Sequence, residues 1–467
     1  MTYAEQLRPL DAAYLALDGP TTTGHVCLYL PLEGPVTMRT LRRQIALGVR
    51  RMPSLRRRLQ HVAPVIDLVD RPWWVDDADF DLGNHVFEHQ IPAPGGLSLL
   101  VEQVTEIAMT HLDRDHPLWE VHLLHDPTHA TSAVMTKVHH VIADGFQMRR
   151  ILDALLGPES VPGVSEREPD VVLRDAPHRA ELLARSAVNN TLWGAGAAVS
   201  GARSVITSPG DTVRSVVTTP VDAVRSAVGK LVSAPQTPFN RSVSDRRAWA
   251  FGSFDIEASR PVRRRYGVTV NDILHATIAA SLRDWLIGRD ALPKGPLVAL
   301  VPLSARQTEA NHNGANRIDI SLCEIPTQVT DSLARLQEAH EAMQRSKEHT
   351  WLDEHSLNTA SRFFATALST AAHTSETLHL MDLLPTPINL VISNVPMFDD
   401  VLFVGNRQVQ AQHPLAPVFE GIGINITVHG YQGHLDVGIA TCAELVPDAD
   451  RLWQHMELEY DRLCGLG

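Results

Sequence analysis

The sequence predicts an α/β protein built in two structured parts. Three observations carry this. Residues 1–157 alternate between stretches of helical period and apolar runs of strand length. Residues 241–467 do the same, and the stretch between them, 158–240, changes composition abruptly. The chain has 467 residues, 44% of them hydrophobic, so it can bury a substantial core, and its length suits two or three domains.

In the first part, Met38, Leu41, Ile45, Val49 and Met52 recur at helical spacing, with Arg42, Arg43 and Arg50 between them. Residues 118–125 (LWEVHLLH) and 132–140 (SAVMTKVHH) read as two strands, and DPT at 126–128 is a turn signal between them. Met148, Ile151, Leu152 and Leu155 then mark one face of an amphipathic helix. From 158 to 240, Ala, Val, Ser, Thr and Arg dominate. Val221, Val224, Val228 and Leu231 predict a short helix there, with Thr219 as N-cap and Pro220 at its first position. This stretch reads as a partly helical interdomain connection. Its alternating apolar and arginine positions would equally suit a membrane surface.

In the second part, residues 267–286 (GVTVNDILHATIAASLRDWL) predict a turn and a long helix. Residues 295–304 (GPLVALVPLS) and 388–396 (INLVISNVP) predict buried strands. Residues 423–441 (GINITVHGYQGHLDVGIAT) predict a hairpin turning at Gln432 and Gly433. Asp448 is placed to cap a last helix with Leu452, Met456, Tyr460 and Leu463 on one face.

Composition excludes several classes. A net charge of -13 argues against a broad nucleic-acid surface. The four cysteines, Cys27, Cys323, Cys442 and Cys464, are scattered and form no C-x-x-C pair, so neither a disulfide framework nor a zinc knuckle is expected. A reducing, cytoplasmic setting is expected. The N-terminus lacks a signal-peptide pattern, and no run of about 18 apolar residues is present.

The chemistry concentrates at 137–148, KVHHVIADGFQM. Two adjacent histidines end a strand and precede a helix, and such junctions often carry function on a rigid scaffold. On a strand, adjacent side chains point to opposite faces. One ring can then face a cleft while the other is held in the core, and a shared metal is awkward. No H-E-x-x-H or cysteine partner supports a metal. A histidine base needs none, because its ordinary pKa of about 6.5 lets it accept a hydroxyl or amine proton at neutral pH. Asp144 could orient a ring or pair with an arginine, and Gly145 permits tight backbone geometry. Read alone, the motif fits a base with its support or two ordinary histidines.

The motif does not stand alone. LDRDHPLWEVHLL at 112–124, VNDILHA at 270–276, VPLSARQ at 301–307, NLVISNVP at 389–396 and GIGINITVHGYQGHLDVGI at 421–439 follow in order. PLDAAYLALD at 9–18 and WWVDDADFDLGNHV at 73–86 precede them. As an ordered set they resemble the bacterial wax ester synthase/acyl-CoA:diacylglycerol acyltransferase family, within the chloramphenicol acetyltransferase and condensation-domain superfamily. The resemblance covers nearly the whole chain except 158–240. It implies two similar α/β domains, 1–157 and 241–467, each a mixed sheet flanked by helices, with an active-site tunnel between them.

By the motif match His140 is the base, His139 its support, and Asp144 a structural residue paired with an arginine, for which Arg306 is the candidate. Asn271 could donate to a developing oxyanion or position the acceptor; a helix N-cap at Asn271 or Asp272 is the plain alternative. Trp119 is expected to pack the sheet beside the site, and Asn394 to shape a loop at the domain interface.

The implied partners are acyl-CoA, as co-substrate with no prosthetic cofactor, and a diacylglycerol or long-chain alcohol. A peripheral position on the inner membrane or lipid droplets is compatible with this. The arginine clusters at 50–51, 56–58 and 263–265 are candidates for docking to lipid or for holding CoA phosphates. Another lipid or polyketide hydroxyl as acceptor, or a non-catalytic lipid-binding role, are the rival readings. The chain departs from the family pattern at Tyr14 and Asp18, where Phe and Glu are more usual. It departs again at Met397 and Phe398, where Gly-Pro is more usual, and in the more polar TTTGHV at 21–26.

Overall fold

The structure is a computed structural model. It describes residues 4–16, 18–62, 71–126, 131–142, 145–157, 177–189, 234–304, 318–348, 386, 388–398 and 400–467. The first part contains β1 (Ala4–Gln6), α1 (Pro9–Ala16), β2 (His25–Pro31), α2 (Met38–Arg51), β3 (Arg57–Gln60), β4 (Trp73–Asp76) and β5 (Val86–Gln90). It continues through α3 (Leu97–Met109), β6 (Trp119–Asp126), β7 (Thr131–His139) and α4 (Gly145–Leu156). A helical segment over 179–189 follows. The second part contains β8 (Arg247–Asp255), α5 (Arg260–Tyr266), α6 (Val270–Ile287), β9 (Leu297–Ser304), β10 (Ile318–Ile325) and α7 (Ser332–Glu348). It ends with β11 (Leu390–Phe398), β12 (Phe403–Val404), β13 (Arg407–Gln408), β14 (His413–Leu415), β15 (Ile424–Tyr431), β16 (His434–Cys442) and α8 (Ala449–Cys464).

Two mixed sheets organise these elements, each flanked by helices. The first runs β14-β2-β7-β6-β5, antiparallel throughout except where β5 lies parallel to β6. The second runs β10-β9-β11-β15-β16-β8, with parallel pairing only on the two sides of β11. A small antiparallel sheet, β1-β4-β3, stands apart.

Strand alternation decides which helix covers which face. Val134 and Val138 of β7 join Leu41, Ile45 and Val49 of α2 and Met148, Ile151, Leu152 and Leu155 of α4 in one core. Ala133 and Met135 point the other way and pack with Val104 and Ile107 of α3, and with Trp249 and Cys442 of the second sheet. This second cluster joins the two halves. The core of the second half lies between its sheet and α6, α7 and α8, and the expected face of α8 (Leu452, Met456, Tyr460 and Leu463) is buried in it.

A strand also crosses between the halves. β14 belongs to the C-terminal part yet extends the first sheet, pairing His413 with Tyr29 and Leu415 with Cys27. Trp249 of β8 donates to the Pro414 carbonyl at 2.9 Å. Gly438 of β16 makes the approach possible, since a Cβ there would stand 1.6 Å from the Pro414 oxygen.

The expected hairpin turns where predicted, with φ of 48° at Gln432 and 80° at Gly433, the left-handed pair a two-residue turn requires. One expectation differs. Asp448 occupies the N-cap position of α8 without capping it; its carboxylate instead accepts from Arg289 and Trp285, both at 2.9 Å. Of the 158–240 connection, the helical segment over 179–189 packs Leu182 in the interior and accepts from the Trp73 indole through Ser186 at 2.9 Å. The helix predicted around Val221, Val224, Val228 and Leu231 lies outside the described residues.

Candidate active site

β7 ends at His139, and His140 stands in the turn that follows. Pairing of β2 with β7 sets His25 opposite His139. His139 is buried, and its Nδ1 accepts from the Val141 N–H at 3.1 Å. The ring proton therefore belongs on Nε2, which faces Asp18 Oδ2 at 3.3 Å.

Asp18 is a buried anchor. The Gly24 N–H donates to its Oδ1 at 2.5 Å, and Arg114 donates to Oδ2 at 3.1 Å. His111 Nδ1 lies 3.8 Å away. Burial alone would raise this carboxyl. The His139 hydrogen bond and charge, the Gly24 N–H and His25 outweigh it and hold the group well below the usual carboxylate range. Burial, with the Lys137 charge behind it, pushes His25 down to about 3. That ring is neutral, and its Nε2 bonds the Ala108 carbonyl at 2.8 Å. Gly24 has no room to change: a Cβ would stand 2.7 Å from His139 Nε2.

His140 is held differently. Its N–H donates to the Gly24 carbonyl at 2.8 Å, and its ring stacks on Tyr14 of α1 at 4.2 Å between centroids and 11° between planes. Nδ1 is sealed from solvent. Burial pushes the imidazole down to about 4, so the ring is neutral at pH 7. The pair divides at the strand's end: His139 is locked into the core, and His140, in the turn past β7, stands at its edge. Both Tyr14 and Asp18 come from the 9–18 segment. Neither was assigned a role from sequence.

The remaining expected residues fall in three places. Asp144 and Arg306 lie outside the described residues, and so does their expected ion pair. Gly145 opens α4. Trp119 packs the sheet as expected, fully buried, donating to the Leu55 carbonyl at 2.7 Å and stacked on His85.

In the second half, Thr269 is the N-cap of α6, and Asp272 closes a capping box with it. Neither Asn271 nor Asp272 is the cap. Asp272 also accepts from His340 at 2.8 Å. Asn394 is not in a loop: it lies inside β11, opposite Val428 of β15. Its amide donates to Asn271 Oδ1, joining β11 to the first turn of α6. Two residues before His139, Lys137 is fully buried, and its ammonium donates to Glu120 Oε2 at 3.0 Å. Sequence reasoning placed no ion pair there.

Comparison with known proteins gives a consistent picture. A model of the wax ester synthase/diacylglycerol acyltransferase catalytic domain matches residues 7–274, and one of the C-terminal domain of the same group matches 314–463. A putative diacylglycerol O-acyltransferase of Mycobacterium tuberculosis is 31% identical over 463 residues, spanning 96% of this chain and 87% of the relative. The O-acyltransferase WSD of Acinetobacter baylyi is 27% identical over 469 residues, spanning 98% of this chain and 97% of the relative. Among solved structures, a wax ester synthase/diacylglycerol acyltransferase from Marinobacter aquaeolei shares the fold with a TM-score of 0.66 at 22% identity, covering 98% of each chain. A starter condensation domain of rhizomide synthetase in complex with C8-CoA superposes with a TM-score of 0.55 at 14% identity, covering 100% of this chain and 95% of the other.

Proposed function

Given that this chain belongs to the wax ester synthase/diacylglycerol acyltransferase family, we propose that it moves a long-chain acyl group from acyl-CoA to the hydroxyl of a diacylglycerol or a long-chain alcohol, with His140 as general base. The observation that carries this reading is the match of both family models, over 7–274 and 314–463, together with a neutral His140 at the end of a buried, carboxylate-anchored pair.

The step follows from the site. His140 takes the acceptor hydroxyl proton through Nε2, because Nδ1 is sealed. The acceptor oxygen attacks the thioester carbonyl, and a tetrahedral oxyanion forms beside the new imidazolium. An imidazolium alone is disfavoured here, as its low pKa records. Next to an oxyanion it is half of an ion pair, and the same low dielectric strengthens their attraction. Collapse breaks the C–S bond, and the thiolate of CoA leaves with the proton returned by His140. His139 acts through position: Asp18 and the Val141 N–H fix its ring, and Gly24 is shared between Asp18 and His140. Asn271, linked to Asn394, stands as the side chain that orients the acceptor or the oxyanion. Acyl-CoA is the co-substrate, and these side chains supply the acid–base chemistry.

Acceptors of this kind partition into lipid. No helix among the described residues is long and apolar enough to cross a membrane. Reversible docking to a membrane or droplet surface is therefore part of the reading. The arginines at 56–58 serve the fold instead: Arg56 lies over the Phe80 ring, and Arg57 and Arg58 face Asp76 and Asp77 at 3.6 and 3.8 Å. Arg264 and Arg265 of α5 are exposed and carry the docking hypothesis. Flotation with neutral and anionic liposomes tests it: binding that ignores both lipid charge and salt removes the electrostatic part. Incubation of the purified protein with radiolabelled acyl-CoA and a panel of acceptors tests the reaction. Labelled triacylglycerol or wax ester is expected, and no ester with any acceptor would overturn the reading.

A further inference from the structure

The second half contains a pocket that the acid–base chemistry does not use. It has a volume of about 100 Å³ and lies between α6, α7 and the sheet. Its rim is polar and open: Asn271 and Asn394 are half-buried, and Lys347 is exposed. Its interior is mostly apolar, with Leu274 and Ile278 of α6 and Met343 of α7 all buried, and holds one polar ring, the buried His275, which burial keeps neutral and whose Nδ1 faces Cys323 Sγ at 3.8 Å. The Asn394–Asn271 bond holds the rim in shape. The rim also lies against the half that carries His140. Val395 packs into the first core, and Asp400 pairs with Arg149 of α4 at 3.1 Å, the helix that opens five residues past His140.

Interiors are close-packed, and a hollow lined by apolar side chains lowers stability unless something fills it. An occupant with many polar groups would leave them unpaired against Leu274, Ile278 and Met343. A carbon chain has none to satisfy, and its polar end would meet the amides at the rim. A cavity of about 150 Å³ accommodates benzene, so this pocket houses about four carbons, the end of a chain and not its whole length. We propose that this pocket receives the terminal carbons of a linear aliphatic chain, carried by either the acyl donor or the alcohol acceptor, and that Ile278 and Met343 set its depth and thereby the chain length the enzyme prefers. The inference rests on the acyl-transfer reading above.

The test uses the full-length protein and two series of kcat/KM. Acyl-CoAs of increasing length are paired with one alcohol, then alcohols of increasing length with one acyl-CoA. Met343→Ala deepens the pocket and should shift one series toward longer chains, by about fourfold in kcat/KM for each added methylene housed, the factor that about 0.8 kcal/mol per buried methylene implies. Ile278→Phe shortens it and should shift the same series the other way. The series that moves identifies the substrate. If Met343→Ala does not fold, Ile278→Val is read in its place, with about fourfold expected for one added carbon. Two folded, active variants with both length series unmoved would overturn the proposal. A second arm needs no turnover: displacement of a fluorescent fatty acyl probe by alkyl chains, compared between wild type and Ile278→Phe. Weaker binding of longer chains by Ile278→Phe supports the pocket, and identical displacement overturns it. A wild type that forms no ester but passes this arm would overturn the acyl-transfer reading and leave the chain pocket standing.

Discussion

Replacing Asp18 with asparagine removes one charge while keeping the shape of the side chain. In the wild type, Asp18 accepts from Gly24 at 2.5 Å, from Arg114 at 3.1 Å and from His139 at 3.3 Å. Hydrogen bonds to a charged group contribute about 1.5–3 kcal/mol, against about 0.5–1.5 for neutral ones. Arg114 is 44% exposed, so its share is small. Asparagine can still accept from Gly24 through its oxygen. Its NH₂ then faces His139 Nε2, and two donors meet in a buried site. The sum is a loss of about 3 kcal/mol, roughly 6–12 °C in Tm for a half of this size. The ring of His139 also loses the partner that holds its proton on Nε2, so kcat should fall more than the affinity for acyl-CoA. A merely structural role would leave kcat of the folded fraction unchanged. Asp18→Glu restores the charge and should recover most of kcat. Differential scanning calorimetry with steady-state kinetics reads both. An unchanged Tm and kcat for Asp18→Asn would refute the anchoring argument.

The same burial and packing set three further outcomes. Acid should destabilise the protein well above the carboxylate range: His25 is pushed down to about 3, and His140, His275, His413 and His429 to about 4. Between about 4 and 6.5 the unfolded chain binds these protons and the native state does not, so stability falls as pH drops, by up to about 1.4 kcal/mol per histidine per pH unit; a urea midpoint unchanged from pH 7 to pH 5 would contradict this. Gly438→Ala should push β14 off the first sheet, because its Cβ would stand 1.6 Å from the Pro414 oxygen; a drop in Tm and faster amide exchange along β2 are expected, from overpacking of at least about 1–3 kcal/mol. Arg335→Ala should cost about 3–5 kcal/mol, since Arg335 and Glu459 are both 3% exposed and joined at 2.5 Å, while replacing both with apolar residues should recover most of it in a denaturant titration.

Much of this molecule was legible in its sequence, for physical reasons. Local patterns gave local elements: the period of Met38 to Met52 became α2, and LVALVPLS became β9. Gln432 and Gly433 turned the hairpin because few residue pairs accept two positive φ values in succession. The histidine pair stood out because two imidazoles at a strand's end are unusual in composition.

What pairs over long distance was not legible. Nothing in the residues 413–415 announces that they extend the sheet of β2, since register across the chain is set by packing. Asp18 is one of 54 acidic residues, and only the fold brings it within reach of His139, 121 positions away. Asp448 looked like a cap and became an acceptor for Arg289, because a strong long-range donor outcompetes an orphan N–H. Asn394 carried a loop-like SNVP signature, yet parallel pairing with β15 kept it in the strand.

The central claim is that His140 is the general base. Its most direct test is the single-turnover rate of acyl transfer by His140→Ala, measured beside wild type with Tm recorded for both. Loss of a general base predicts a fall of about 100- to 10,000-fold while the protein stays folded, with His139→Ala falling less. A folded His140→Ala that transfers acyl groups within a few-fold of wild type would contradict the account.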